Sequence, residues 1–143
     1  MDLFEYQGKE LYRKYNISTP KSIVINNLED LQKIDGTNLN YPLVIKAQVQ
    51  VGGRGKAGGI RLVNNKGEML TASNEILGMD IKGHIVEKLL IEEASEIEDE
   101  YYISFTLDRS SKQYLMLLSS KGGMDIEEVA EKNPDDLIKV YIS

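Results

Sequence analysis

The sequence predicts an α+β fold, in which short strands run directly into one another as well as alternating with helices. Three stretches carry that expectation. Residues 2–15 have helical spacing and lead into the strand-like run SIVI (22–25) and a cappable helix. A glycine-rich loop at 52–59 lies between two strand-like runs, with no helix beginning after it. Two further apolar runs flank DRSSK in the manner of a hairpin.

Taken in order, Asp2 and Glu5 have capping-box spacing, and Phe4, Leu11 and Tyr15 recur at helical intervals, so an amphipathic helix is expected over 2–15. Asn16 and the following STP stop it. Asn27 can cap a helix with Leu28, Leu31 and Ile34 on one face, ended by Gly36. PLVIKAQV (42–49) is apolar and β-branched enough for a central strand; IRLV (60–63) is the next, with NNKG as its turn. Met69–Leu77 suits a helix that Gly78 terminates, and HIVEKLLI (84–91) suits another strand. EYYISFTL and QYLMLLSS form the expected hairpin, IEEVAE (126–131) a short helix and IKVYI a last strand.

Composition narrows the function classes. The 143 residues are 41% hydrophobic and 28% charged, as in an ordinary globular domain, and carry no internal repeat. The lack of cysteine excludes disulfides and thiolate metal sites. The charged MDLFEYQGKEL lacks the apolar centre of a signal peptide, and no run is long enough to span a membrane, so a cytoplasmic protein is expected, or a mitochondrial-matrix one in a eukaryote. A net charge of −6 argues against nucleic acid as partner. That average hides a segregation: Gly36 to Gly67 contains no Asp or Glu but has Lys46, Arg54, Lys56, Arg61 and Lys66, whereas Glu87 to Glu100 is strongly acidic.

The glycine-rich loop sits inside the basic zone. GRGKAG (53–58) fits G-x-G-x-x-G, a pattern shared by unrelated phosphate-binding loops. A dinucleotide turn needs a helix directly after it, and a Walker loop needs Gly-Lys-Ser/Thr; here IRLV follows instead. A flap remains, with amide N–H groups laid over phosphate oxygens and cations neutralising charge. Protein kinases use one, but no H-R-D or D-F-G is present. Lys46, in an apolar strand, is the candidate upstream lysine, or else a strand-end side chain that snorkels to water. Arg54 and Lys56 serve the flap, or merely keep a loop soluble. The single histidine, His84, reads as structural or exposed, and Asp108 and Arg109 as hairpin-turn residues. Gly122 and Gly123 let the chain bend before a helix, or approach phosphate.

MDLFEYQGKELYRKY, VIKAQVQVGGRGKAGGIRLV, DRSS and GGMDIEEVAE, in that order along the chain, resemble the β subunit of succinyl-CoA synthetase (succinate–CoA ligase), an ATP-grasp protein. The resemblance implies an ATP-grasp architecture with a complete first lobe over 18–91, a hinge and partial second lobe over 92–143, and an N-terminal helix, 1–17, packing with that second lobe. It implies that Lys46 contacts nucleotide phosphates, that Gly53, Arg54 and Gly55 close over them, that Glu92 and Ser95 meet the adenine and that Glu100 lies near the ribose. ATP/ADP is the implied cofactor, with GTP possible and Pro20 favouring ATP. The family's Mg2+ ligands, an Asn and an Asp, match positions beyond Ser143, and no catalytic residue is expected within the chain. The implied partners are the α subunit, whose phosphohistidine relays the phosphoryl group, with succinate and CoA. A malate–CoA ligase β subunit and a non-catalytic nucleotide-binding or assembly module are the alternatives.

Overall fold

The computed structural model describes residues 2–142. Helix α1 (Glu5–Lys14) is followed by β1 (Ser22–Ile25), a 3-10 helix (Leu28–Gly36), β2 (Leu43–Ala47), β3 (Ile60–Val63) and α2 (Lys66–Ile76). Then come β4 (Asp80–Ile81), β5 (His84–Ile85), β6 (Leu89–Glu93), β7 (Tyr102–Asp108), β8 (Gln113–Ser119), α3 (Ile126–Lys132), a 3-10 turn (Pro134–Asp136) and β9 (Leu137–Ile142). The mixture of helices with antiparallel sheets is the expected α+β class. The chain divides into two compact units, Met1–Ser95 and Glu96–Ser143.

In the first unit four antiparallel strands lie in the order β1-β6-β2-β3. Side chains alternate across a strand, so Leu43, Ile45 and Ala47 of β2 share one face with Leu89 and Ile91 of β6. Together with Ile25, Leu31, Met69 and Ile76 they form the buried core under α2 and the 3-10 helix. Completely burying such side chains stabilises by about 1.5–3 kcal/mol each. Val44 and Lys46 of β2, with Leu90 and Glu92 of β6, point to the opposite face.

The second unit is the antiparallel sheet β7-β8-β9 with α3, whose Val129 is buried. Register places Ile103, Phe105, Leu107, Tyr114, Ile138 and Ile142 on one face of it, all exposed. Asp108 closes the β7–β8 turn by accepting from Ser110 N at 2.9 Å and from Ser111 Oγ at 2.9 Å, which is the turn chemistry expected of DRSS.

Several local expectations are corrected. Phe4, not Asp2, is the N-cap of α1; its N–H donates to Gln7 Oε1 at 2.9 Å, so Glu5 is free of any capping duty. The supposed apolar stripe of α1 is exposed at Leu11 and Tyr15, and the helix buries no residue, because charge holds it down instead. The turn expected over NNKG is shorter than read: Asn64 and Asn65 make the bend, and the Asn65 side chain accepts from Glu68 N and starts α2 at Lys66, three residues before the expected Met69. The 27–36 helix forms, capped by Asn27, as a 3-10 helix. HIVEKLLI breaks into β5 and β6, since Val86 N is taken by Met79 O at 2.9 Å and its side chain turns into the core.

Candidate functional site

Alternation along β2 decides the site. With Ile45 and Ala47 committed to the core, the Lys46 side chain leaves on the other face, and pairing of Val44 with Glu92 across β2 and β6 puts a carboxylate beside it. Helix α1 brings Glu5 and Lys9 to the same face, one turn apart. Lys46 Nζ contacts Glu92 Oε1 and lies 3.0 Å from Glu5 Oε1. Lys9 Nζ contacts Glu92 Oε2 and lies 3.0 Å from the same Glu5 oxygen. Arg54, from the glycine-rich loop, sets Nη1 2.7 Å from Glu5 Oε2 and 2.9 Å from the carbonyl of Ala47. Three cations therefore enclose two carboxylates, leaving one positive charge in excess.

The side chain of Glu92 is only 4% exposed, against 19% for Lys46 and 21% for both Glu5 and Arg54. Burial alone would raise the Glu5 carboxyl, but the charges of Lys46 and Arg54, with the close N–H groups of Arg54 and Lys9, outweigh it and lower the pKa to about 2. Burial likewise works against the Lys46 ammonium, and Glu92 and Glu5 more than offset it, so its pKa is raised. Both groups stay ionised at neutral pH. The Arg54 contact with Glu5 Oε2 is close but out of line for a good hydrogen bond, so the guanidinium holds that buried oxygen chiefly by its charge.

The loop connects antiparallel β2 and β3 and contains no helix start, as expected of a flap. It folds on itself: Ala57 N donates to Gly53 O at 3.1 Å, and Gly59 N to Arg54 O at 2.8 Å. Gly53 has φ +80, a region closed to most side chains, and a Cβ there would come within 2.9 Å of Lys82 Nζ. Gly59 is needed for space, since a Cβ would lie 2.7 Å from Ile81 Cδ1 and 3.2 Å from Arg54 O. Lys56 is exposed, as is Gly55, where a Cβ would meet nothing.

Of the residues the resemblance singles out, Lys46, Arg54 and Glu92 are brought together, with Gly53 and Gly55 in the flap beside them. Ser95 is exposed at the end of the first unit. Glu100 belongs to the second, where its carbonyl accepts from Gly122 N at 3.0 Å and its carboxylate lies over Gly123. His84 is exposed, at the rim of a half-open cavity of about 260 Å³ bounded also by Phe4, Gln48, Gln50 and Lys88. Glu5 and Lys9 were missed; the one available signal was their i,i+4 spacing, which reads equally well as a solvated helix pair. Converging cations suit a phosphate, and among the described residues no three His, Cys, Asp or Glu side chains are grouped to hold a metal. Nor is any described helix long and apolar enough to cross a membrane.

Comparison with known proteins agrees with this architecture. The model of the ATP-grasp domain family matches residues 2–143. Among solved structures, the chain is similar to the dinucleotide-forming acetyl-coenzyme A synthetase 1 of Ca. Korarchaeum cryptofilum, crystallised with coenzyme A and Ca-AMPCP, at 19% identity and a TM-score of 0.77. The match covers 97% of this chain and 59% of that one, so the chain spans about three fifths of its neighbour's length. ATP citrate lyase from Methanothrix soehngenii, in complex with citrate and coenzyme A, matches at 19% identity and 0.72, over 99% of this chain and 35% of that one. A Pyrococcus horikoshii protein matches at 17% and 0.72, over 98% and 58%. At these identities the likeness is one of fold.

Proposed function

The chain belongs to the ATP-grasp domain family, and from that premise we propose that it is the nucleotide-binding portion of an ADP-forming acid–CoA ligase, of the succinate–CoA ligase β-subunit kind. The observation that carries the proposal is the convergence of Lys46 and Arg54 on the two oxygens of one carboxylate, at 3.0 and 2.7 Å. Two cations that can share the Glu5 carboxylate are spaced to share the phosphate oxygens of ATP or ADP. Phosphoryl transfer asks the protein for positioning and charge neutralisation more than for covalent chemistry. Lys46, on a core strand, supplies the fixed point, and Arg54 moves with the flap that closes off water.

Glu92 orients Lys46 in this scheme. With its carboxylate committed to two ammonium groups, contact with the adenine falls to the main chain of 92–95 and to Ser95. Mg2+, when bound, supplies further neutralisation of phosphate charge; no ligand for it is assigned within this chain. The phosphoryl group would pass to a histidine of an α subunit and on to a succinate carboxylate, and the CoA thiol would then displace it as inorganic phosphate to form the thioester. Neighbours named as acetyl-CoA synthetase and ATP citrate lyase support acyl-CoA chemistry in general, and a malate–CoA ligase β subunit fits these residues equally.

Isothermal titration tests the reading. Lys46→Met and Arg54→Ala are each expected to weaken ADP and ATP binding about tenfold or more, the worth of one charge-assisted contact. The chain alone is expected to bind Mg-ATP more weakly than about 1 µM. Affinity untouched by either substitution would sink the assignment.

A further inference from the structure

Lys46 is served by two carboxylates of unequal standing. Glu92 is almost wholly buried, is placed by strand register, and accepts from both Lys46 and Lys9. Glu5 is the outer of the two, and the helix that carries it buries no side chain. Besides its ion pairs, α1 is tied to the sheet by Tyr6 N donating to Gln48 Oε1 at 3.0 Å, and the preceding residues by Gln50 Nε2 donating to the Asp2 carbonyl at 2.6 Å. Glu5 Oε2, moreover, lacks an aligned hydrogen bond and is held only by the nearby guanidinium.

We infer that Glu5 is a built-in competitor for the phosphate subsite: its carboxylate holds the same two cations that phosphate oxygens require, and nucleotide binding displaces it and loosens α1. The inference rests on the nucleotide-binding reading above and adds regulation of that site. An arriving polyphosphate meets three cations already partly neutralised. Glu92 cannot yield without exposing two ammonium groups inside the sheet face, whereas Glu5 can swing to water by a movement of a surface helix. Exchanging one carboxylate for a polyanion on Lys46 and Arg54 raises the attraction, and the flap then follows the phosphate instead of α1. Whatever pulls α1 away from the sheet therefore favours nucleotide binding, and binding in turn frees α1, because the coupling is reciprocal.

The experiment uses the full chain and three probes: ADP, inorganic tripolyphosphate and adenosine, without added metal. In the unsubstituted protein, ADP and tripolyphosphate are expected to speed amide hydrogen exchange in α1, and adenosine to leave it unchanged. By titration calorimetry, Glu5→Gln is expected to bind ADP and tripolyphosphate about tenfold more tightly, since no charge-assisted contact is then broken, with no gain for adenosine. Unchanged or greater protection of α1 on binding, or equal or weaker affinity in Glu5→Gln, overturns the inference while leaving nucleotide binding standing. Failure of the unsubstituted chain to bind either phosphate probe removes the parent reading and this one together. The exchange arm keeps the test decisive should the variant fold poorly.

Discussion

Glu5→Gln should destabilise the first unit, and the cost should disappear in acid. In the folded chain the Glu5 carboxyl titrates near 2, against an ordinary value of 4.5. A depressed folded-state pKa contributes stability that is fully present above the unfolded value and lost as pH falls through the folded one. The drop from 4.5 to about 2, at 1.36 kcal/mol per pH unit, sets a ceiling of about 3.4 kcal/mol. The side chain is 21% exposed, so solvent screening reduces the expected loss to about 1.5–2.5 kcal/mol. Urea unfolding of both proteins, followed at the amides of Ile45 and Ile91, would report the first unit specifically. The two curves should differ by that amount at pH 5–7, draw together between pH 4.5 and 2, and coincide below. A difference that persists undiminished at pH 2, or none at pH 7, would refute the placement of Glu5 among these cations. The same substitution is thus expected to cost stability and to gain phosphate affinity, a combination that a purely structural ion pair does not produce.

Two further outcomes follow from the packing. Gly59→Ala forces a Cβ against Ile81, Ala47 and the Arg54 carbonyl and should cost about 1–3 kcal/mol in thermal or chemical denaturation, whereas Gly55→Ala, with nothing within 4 Å, should change stability by less than about 0.5 kcal/mol. Arg61→Ala, which breaks an ion pair with Glu75 in which both side chains are more than 40% exposed, should lie within about 0.5 kcal/mol of the parent, while Lys9→Met, which strips one partner from buried Glu92, should cost on the order of 3 kcal/mol; equal effects at the two positions would mean that burial does not govern these pairs.

Where a residue's role rests on its neighbours in the chain, it could be read directly. Asn27 before Leu28 is a cap because the side chain that accepts the bond and the amide that donates it are three residues apart. Lys46 stands out because a lysine inside PLVIKAQV contradicts its surroundings, and the flap because a strand follows its glycines. Glu5 misled the reading for the same reason: its spacing from Asp2 satisfies a local rule, yet apart from Lys9 on the same helix its partners lie 41 residues away at Lys46 and still farther off at Arg54. The Lys9–Glu92 pair spans 83 residues and has no local signature at all.

The sequence by itself determined most of the strand segments, that a basic glycine loop joins two of them, and that Lys46 is a charge set inside an apolar strand. All of these follow from residue-by-residue alternation and from backbone preference. Only the tertiary structure decided that β6 lies between β1 and β2, and so that Glu92 faces Lys46 while α1 delivers Glu5 and Lys9 to the same face. Strand order is set by how the whole core closes, and an ion pair depends on distance through space, which no pattern along the chain encodes.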